Sequence, residues 1–346
     1  MPSRTLSHCT GGAMRQRTDE PFRECVVHVG GLRVHAREGG AGAPLLLLNG
    51  IGAHLAMWQP LERTLDGARL IAFDAPGTGR SQTPTSPLSL AGHARVAERV
   101  LDALGYDRVD VLGYSFGGLV AQHLARRAPD RVRRLVLAAT TPGWGGVAGS
   151  LRALLHVSTP LRYYSRAYYE RSIGELVGGR ARRDGAWLAR HGEERLRHPP
   201  APLGYAWQLA ALSMPPGSLP WLHTLPQPTL VVAGDDDPLL PAVNSLMLAE
   251  RIPRARLLLA RGEGHLLLLD PDSAAHPVIR DFLTGDEPAT SPAFARTVTV
   301  DRARVVAALR EERFVPHPAW ALNAATRALF YGATGSRSAD GRSGAW

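Results

Sequence analysis

Val109-Asp110-Val111-Leu112-Gly113-Tyr114-Ser115-Phe116-Gly117-Gly118 is the stretch whose reading decides the fold. It opens as a short strand-like run, and from Leu119 to Ala128 the pattern turns helical. Between the two lies Gly-x-Ser-x-Gly. A serine in a sharp strand-to-helix turn sits on strained backbone, and glycines beside it remove side chains that would collide there. The hydroxyl of Ser115 is thereby lifted above a strand end, where a nucleophile belongs.

Working outward, short apolar runs recur at Leu45–Leu48, Leu70–Phe73, Leu135–Ala138, Leu230–Val232 and Leu257–Leu259. Such runs suit strands covered on both faces. Helical patterns at Leu90–Leu104 and Val243–Ile252 separate several of them, so strand and helix alternate as in a parallel α/β sheet. Upstream, Cys25–Val29 and Leu32–Ala36 flank Gly30-Gly31, which reads as a tight hairpin. The alternation lapses between Thr140 and Thr229. That interval reads as a helical cap over the sheet's carboxyl edge, and it holds four of the seven tryptophans and five of the eight tyrosines. Each of these aromatics alone is an ordinary core residue; their clustering points to an apolar cavity. The expected division is an unfolded tail at 1–24, a core of 25–141 and 226–285, a cap of 142–225, and a linker with short helices and an unfolded tail at 286–346.

A serine is a weak nucleophile until a base, itself held by an acid, takes its proton. The strand Leu230–Val232 leads into Gly234-Asp235-Asp236-Asp237-Pro238-Leu239-Leu240-Pro241. Asp237, four before Pro241, has the usual spacing of an orienting acid, while Asp235 or Asp236 can be turn formers. No Asp or Glu lies between Asp130 and Glu170, which removes the rival position before the cap. Leu257–Ala260 is followed by Arg261-Gly262-Glu263-Gly264-His265, so His265, alone among thirteen histidines, stands on the loop after the last strand, where a base is expected. His276 falls in the next helix and reads as structural. Donors for a developing oxyanion are expected from the backbone N–H of Phe116 and of Ile51, the latter in Asn49-Gly50-Ile51-Gly52. Asn49 reads as a brace for that loop.

With 45% hydrophobic and 21% charged residues in 346, the chain can bury a full core. Its forty cations are all arginine, against 31 acids, for a net charge of +9. A composition bias accounts most simply for the missing lysines. The excess is concentrated in the cap, which has ten arginines and five acids, and Arg131–Tyr169 has six arginines and no acid. Arg152 and Arg162 belong to that stretch and are expected on the surface, where they could meet a partner or hold a carboxylate. No nucleic-acid motif accompanies the charge. No metal-ligand spacing or phosphate loop appears, so no cofactor or metal is expected. Cys9 and Cys25 read as incidental thiols, and with no secretory leader and no apolar run of membrane-spanning length the expected location is cytoplasmic.

The order of serine turn, inserted segment, acid loop and histidine resembles the α/β-hydrolase superfamily. More narrowly, Leu48–Ala53, Ala72–Ser81, Leu135–Thr140 and Gln227–Pro241 are similar to intracellular depolymerases of medium-chain-length polyhydroxyalkanoates. So are Trp207-Gln208-Leu209 and Trp221-Leu222-His223 within the cap, and the resemblance spans about Leu32 to Leu283. It implies an α/β-hydrolase fold, with a mostly parallel central sheet flanked by helices and an inserted helical cap. It further implies Ser115 as nucleophile, Asp237 as acid and His265 as base, acting through an acyl-enzyme on an apolar ester or polyester, with a storage-granule surface as partner. Two departures stand out: Phe116 occupies a place where that family is expected to have Trp, and the segment after Thr284 has no match. The alternatives are a small-molecule esterase, lactonase or carbon–carbon bond hydrolase of the same fold, and a non-catalytic protein that binds a granule or a partner.

Overall fold

The computed structural model describes residues 7–8, 22–285, 290–292, 294–312 and 320–332. Its sheet comprises β1 (Ser7–His8), β2 (Arg23–Val29), β3 (Leu32–Gly39), β4 (Ala43–Leu48), β5 (Ala68–Phe73), β6 (Val109–Tyr114), β7 (Val132–Ala138), β8 (Thr229–Gly234) and β9 (Ala255–Ala260). The spatial order is β1-β2-β3-β5-β4-β6-β7-β8-β9. From β5 through β9 all pairings are parallel, whereas β2–β3 and β3–β5 are antiparallel. The hairpin turns on Gly30 and Gly31, with φ of 55° and 81°, a pair of left-handed residues that matches the twist of the flanking strands.

The central strands are covered on both sides, and the two-residue side-chain period divides them between two cores. Leu46, Leu48, Val111, Leu135, Leu137, Val231 and Leu257 join one apolar cluster. Their neighbours Leu45, Leu47, Leu112, Val136, Leu230, Val232 and Leu258 join the other. The first core is covered by α2 (Leu90–Leu104), α3 (Phe116–Arg127), α8 (Val243–Arg251) and α10 (Arg302–Glu311). The second includes the short α1 (Gln59–Glu62) and α9 (Ala275–Thr284).

Between β7 and β8 stand four helices, α4 (Leu151–Val157), α5 (Arg166–Val177), α6 (Gly185–Arg197) and α7 (Pro202–Leu212). Polar caps start the first three: Ser150 accepts from Ala153 N–H, Ser165 from Tyr168 and Asp184 from Trp187, while Pro202 opens α7. The aromatic cluster expected to line a cavity supplies the insertion's own core in part, with Tyr163, Tyr169, Tyr205, Trp187 and Trp221 buried. α11 (Trp320–Tyr331) follows α10.

Two expectations need correction. Ser7–His8 and Arg23–Glu24 fall within the segment expected to be unfolded, yet β1 pairs in parallel with Cys25 and Val26, and β2 begins at Arg23. An edge strand with unpaired backbone groups recruits the pairing, and Arg23 is ion-paired with the buried Glu38. The rest of 1–21 lies outside the described residues, as do 286–289, 313–319 and 333–346. Cys25 is disulfide-bonded rather than an incidental thiol, in keeping with its place in β2 opposite Ser7; Cys9 is outside the described residues. No helix among the described residues is long and apolar enough to cross a membrane.

The packing of α2 against α3 buries His93 edge-on to the Phe116 ring, with ring centroids 5.1 Å apart. Its Nε2 has no partner among the described residues, and burial holds its pKa down at about 4. Because the folded-state value lies below the ordinary 6.5, the unfolded chain takes the proton first as pH falls. Stability should drop between pH 6.5 and 4, by on the order of 3 kcal/mol from this residue, and level off below. His93→Phe should flatten that part of the pH dependence of the urea midpoint, leaving the neutral-pH value nearly unchanged.

Candidate active site

Strand order reverses at β4, whose chain neighbours β5 and β6 lie on opposite sides of it. In open α/β sheets the crevice at that point, beyond the carboxyl ends of the strands, is where ligands bind. The loops after β4 and β6 are Asn49–Ala53 and the Ser115 turn.

Ser115 has φ 54° and ψ −118°, an uncommon conformation for a residue with a Cβ. It is fixed from both sides: its N–H donates to Ala138 O at 2.9 Å, and its carbonyl accepts from Thr140 Oγ1 at 2.7 Å. The flanking glycines are required by contact. A Cβ on Gly117 would overlap the Leu48 carbonyl, and one on Gly113 would lie 2.6 Å from Ala121 Cβ.

His265 Nε2 lies 2.9 Å from Ser115 Oγ, and its Nδ1 lies 2.7 Å from Asp237 Oδ2. With a carboxylate at Nδ1, that nitrogen carries the proton and Nε2 is left to accept from the serine. All three side chains are buried, with Ser115 7% exposed. Asp237 is itself held, its other oxygen accepting from Leu239 and Leu240 N–H, both at 2.9 Å. The three adjacent aspartates have three different tasks. Asp235 accepts from Gly262 N–H at 2.6 Å and ties the acid loop to the histidine loop. Asp236 accepts from Gly179 N–H at 2.8 Å and from Arg182 Nη1 at 2.6 Å, tying it to the insertion. Only Asp237 reaches the imidazole.

In the loop after β4 the donors are nearly all engaged. Gly50 N–H donates to Asn49 Oδ1 at 2.9 Å, Gly52 N–H to Gln208 Oε1 at 2.8 Å, and Ala53 N–H to Gly50 O at 3.1 Å. This leaves the Ile51 N–H without an acceptor among the described residues. Asn49 braces the loop as expected, its Nδ2 donating to His54 O at 2.9 Å. Phe116 N–H is the first donor of α3, one of the four that a helix leaves without an intrahelical partner. Among the described residues no group of three or more His, Cys, Asp or Glu could hold a metal ion. His276 Nε2 donates to Leu268 O at 3.1 Å, and its Nδ1 lies 3.0 Å from Thr64 Oγ1, away from this site.

Two family models match the chain, one of the alpha/beta hydrolase fold over residues 43–156 and one of TAP-like proteins over 205–293. A poly(3-hydroxyalkanoate) depolymerase of Ectopseudomonas oleovorans is 42% identical over 241 residues, 69% of this chain and 84% of that protein. The chain belongs to the α/β-hydrolase family. A 2-hydroxymuconate semialdehyde hydrolase of Pseudomonas sp. strain CF600 is 30% identical over 286 residues, 78% of this chain and 95% of that protein. A crystal structure of a hydrolase from Pseudomonas aeruginosa PA01 superposes with a TM-score of 0.65 at 27% identity, covering 76% of this chain and 98% of that one.

What the sequence did not reveal is how this α/β hydrolase uses its insertion to position the site. The end of α5 wedges between the acid and histidine loops. His265 N–H donates to Val177 O at 2.7 Å, and Gly178, at φ 63°, lies so close to the Asp236 carbonyl that a Cβ would overlap it. Tyr163 OH donates to Ile51 O at 2.6 Å, so the insertion also holds the loop after β4. Below, Tyr114 OH donates to His265 O at 2.9 Å, and burial pushes its phenol pKa far up. Gly178→Ala should force the acid loop outward. A displacement of the order of 1 Å can cost about 10²-fold in rate, so ester turnover should fall at least about tenfold in kcat, with a lowered Tm as the accompanying sign.

Proposed function

We propose that the chain is a serine carboxylester hydrolase that depolymerises medium-chain-length polyhydroxyalkanoate through an acyl-enzyme. The observation that carries the chemistry is the hydrogen-bonded line Ser115–His265–Asp237, with steps of 2.9 and 2.7 Å. In this reading His265 Nε2 takes the Ser115 proton as Oγ attacks the ester carbonyl, and the Ile51 and Phe116 N–H groups receive the oxyanion. The imidazolium, stabilised by Asp237, returns the proton to the leaving alkoxide. A water molecule, activated by the same imidazole, then releases the acid from Ser115.

The substrate class follows from the depolymerase relative, 42% identical over 241 residues. A surface feature supports a solid polyester. Leu151, Leu155, Leu161, Tyr164 and Leu203, all on the insertion, are 46–60% exposed, a grouping suited to an apolar granule. Arginine is not the better candidate for that contact. Arg152 is paired with Glu175 at 2.9 Å, and Arg162, expected on the surface, is buried among Tyr163 and Tyr205. In this reading residues 142–225 act as a cap.

Incubation with medium-chain polymer granules should release hydroxyacid, and short 4-nitrophenyl esters should also be cleaved. Ser115→Ala should lower kcat/KM at least about 10³-fold while the protein stays folded, and Asp237→Asn should lower it by about 10⁴. Nitrophenol release without hydroxyacid from granules refutes the depolymerase reading; full activity in Ser115→Ala refutes the site.

A further inference from the structure

Arg195, on α6, is only 6% exposed, yet no hydrogen bond or ion pair joins its guanidinium to any described residue. Its Nε is buried with no partner, and the guanidinium carbon lies 4.9 Å from the centre of the Tyr163 ring. Arg162, on the same ring at 4.7 Å, differs. It donates to the carbonyls of His156 and Thr159 beside the end of α4, at 3.4 and 3.0 Å. A buried guanidinium with neither counterion nor carbonyl is costly, and side chains so placed are ordinarily matched by an anion.

A second donor near the same loop is also unmatched. Gln208 is fully buried and its Nε2 has no partner among the described residues. Its Oε1 accepts from Gly52 N–H at 2.8 Å, which fixes which way the amide faces. Gln208 binds the loop that holds Ile51 directly, and Arg195 is linked to it through the Tyr163 ring. Tyr163, under Arg195, donates to the Ile51 carbonyl at 2.6 Å, and Gln208 binds the next residue. The charge of Arg195 is felt at Tyr114, the residue before Ser115. The acids nearest Arg195 in the chain, Glu193 and Glu194, pair with Arg166 and Arg197 instead.

Resting on the ester-hydrolase reading, we propose that Arg195, with Gln208, binds a carboxylate carried by the alcohol half of the substrate, so that the enzyme cleaves the ester bond next to the free acid end of a hydroxyacid chain. A carboxylate matches the two-pronged guanidinium and accepts from an amide N–H at once. Water is consumed, the ester C–O bond breaks, and the terminal 3-hydroxyacid leaves with its hydroxyl proton supplied by His265. The remaining chain is freed from Ser115 with a new terminal carboxylate. That product can enter the next cycle at the same site, which makes degradation stepwise from the acid end.

The test compares the 3-hydroxyoctanoate dimer as its free acid and as its methyl ester. The unmodified enzyme should prefer the free acid. In Arg195→Met the ratio of the two kcat/KM values should fall about tenfold or more, as expected for loss of a buried charge pair. Arg195→Lys should keep part of the preference, and the exposed Arg197→Met all of it. A second readout does not depend on either dimer being a substrate. Octanoate, but not octanol, should inhibit 4-nitrophenyl hexanoate hydrolysis competitively, with Ki rising about tenfold in Arg195→Met. Dimers left uncleaved while that inhibition still depends on Arg195 would refute the depolymerase reading and keep the carboxylate site. Equal losses on acid and methyl ester, or octanoate inhibition unchanged in Arg195→Met, would overturn the proposal and leave Arg195 as a brace for Tyr163.

Discussion

The rest of the site depends on the contact between Gly117 and the carbonyl of Leu48. It brings the start of α3 against the end of β4, and so sets the distance between the Ser115 turn and the loop that holds Ile51. In the proposed mechanism the nucleophile and its oxyanion donors must share a point about 3 Å from each, and the Ser115 turn and the Ile51 loop follow strands adjacent in the sheet but separated by more than sixty residues of chain. The strain in the Ser115 backbone persists because β7 fixes it twice, through Ala138 and Thr140.

Much of the fold was legible because the central strands are buried on both faces. Runs such as Leu45–Leu48 contain no polar residue to disguise them, and the alternation with Leu90–Leu104 and Val243–Arg251 leaves little choice of class. The serine and histidine were legible because each follows a strand's carboxyl end and stands beside glycine. The Asp235-Asp236-Asp237 run was only partly so. Three identical side chains are told apart by where their partners arrive from, and those partners, Gly262, Arg182 and His265, come from distant parts of the chain. The roles of Val177, Tyr163 and Gln208 were hidden for the same reason: nothing local to a helix reveals that its end or its buried face touches a loop built elsewhere. Ser7–His8 is two residues long and has no periodicity to read.

The all-arginine composition is put to use by the fold whatever its origin. Arg133 grips Asp110 with two nitrogens, at 2.8 and 2.5 Å. Arg134 reaches the carbonyls of Phe282, Leu283 and Gly285 at the end of α9, at 2.8, 2.5 and 2.6 Å. Arg256 binds Thr297 through both side-chain and backbone oxygens, at 2.6 and 2.7 Å, fastening the segment beyond α9 to β9. Each of these tasks uses donors spread across a planar fork, a geometry that the single nitrogen of an ammonium group lacks.

The wedge formed by Val177, Gly178 and Gly179 also bears on the order in which the molecule can be completed. Ser115, its supports on β7 and the loop after β4 all lie within the first 140 residues, so they can meet as that part of the chain condenses. Asp237 and His265 lie on the loops after β8 and β9, which close around the end of α5. Contacts of such wide sequence separation form late, after the entropy of the intervening loop has been spent. In the proposed mechanism, a chain still being synthesised would therefore carry Ser115 with no base beside it, and would gain one only when the insertion has docked and its last two strands have joined the sheet.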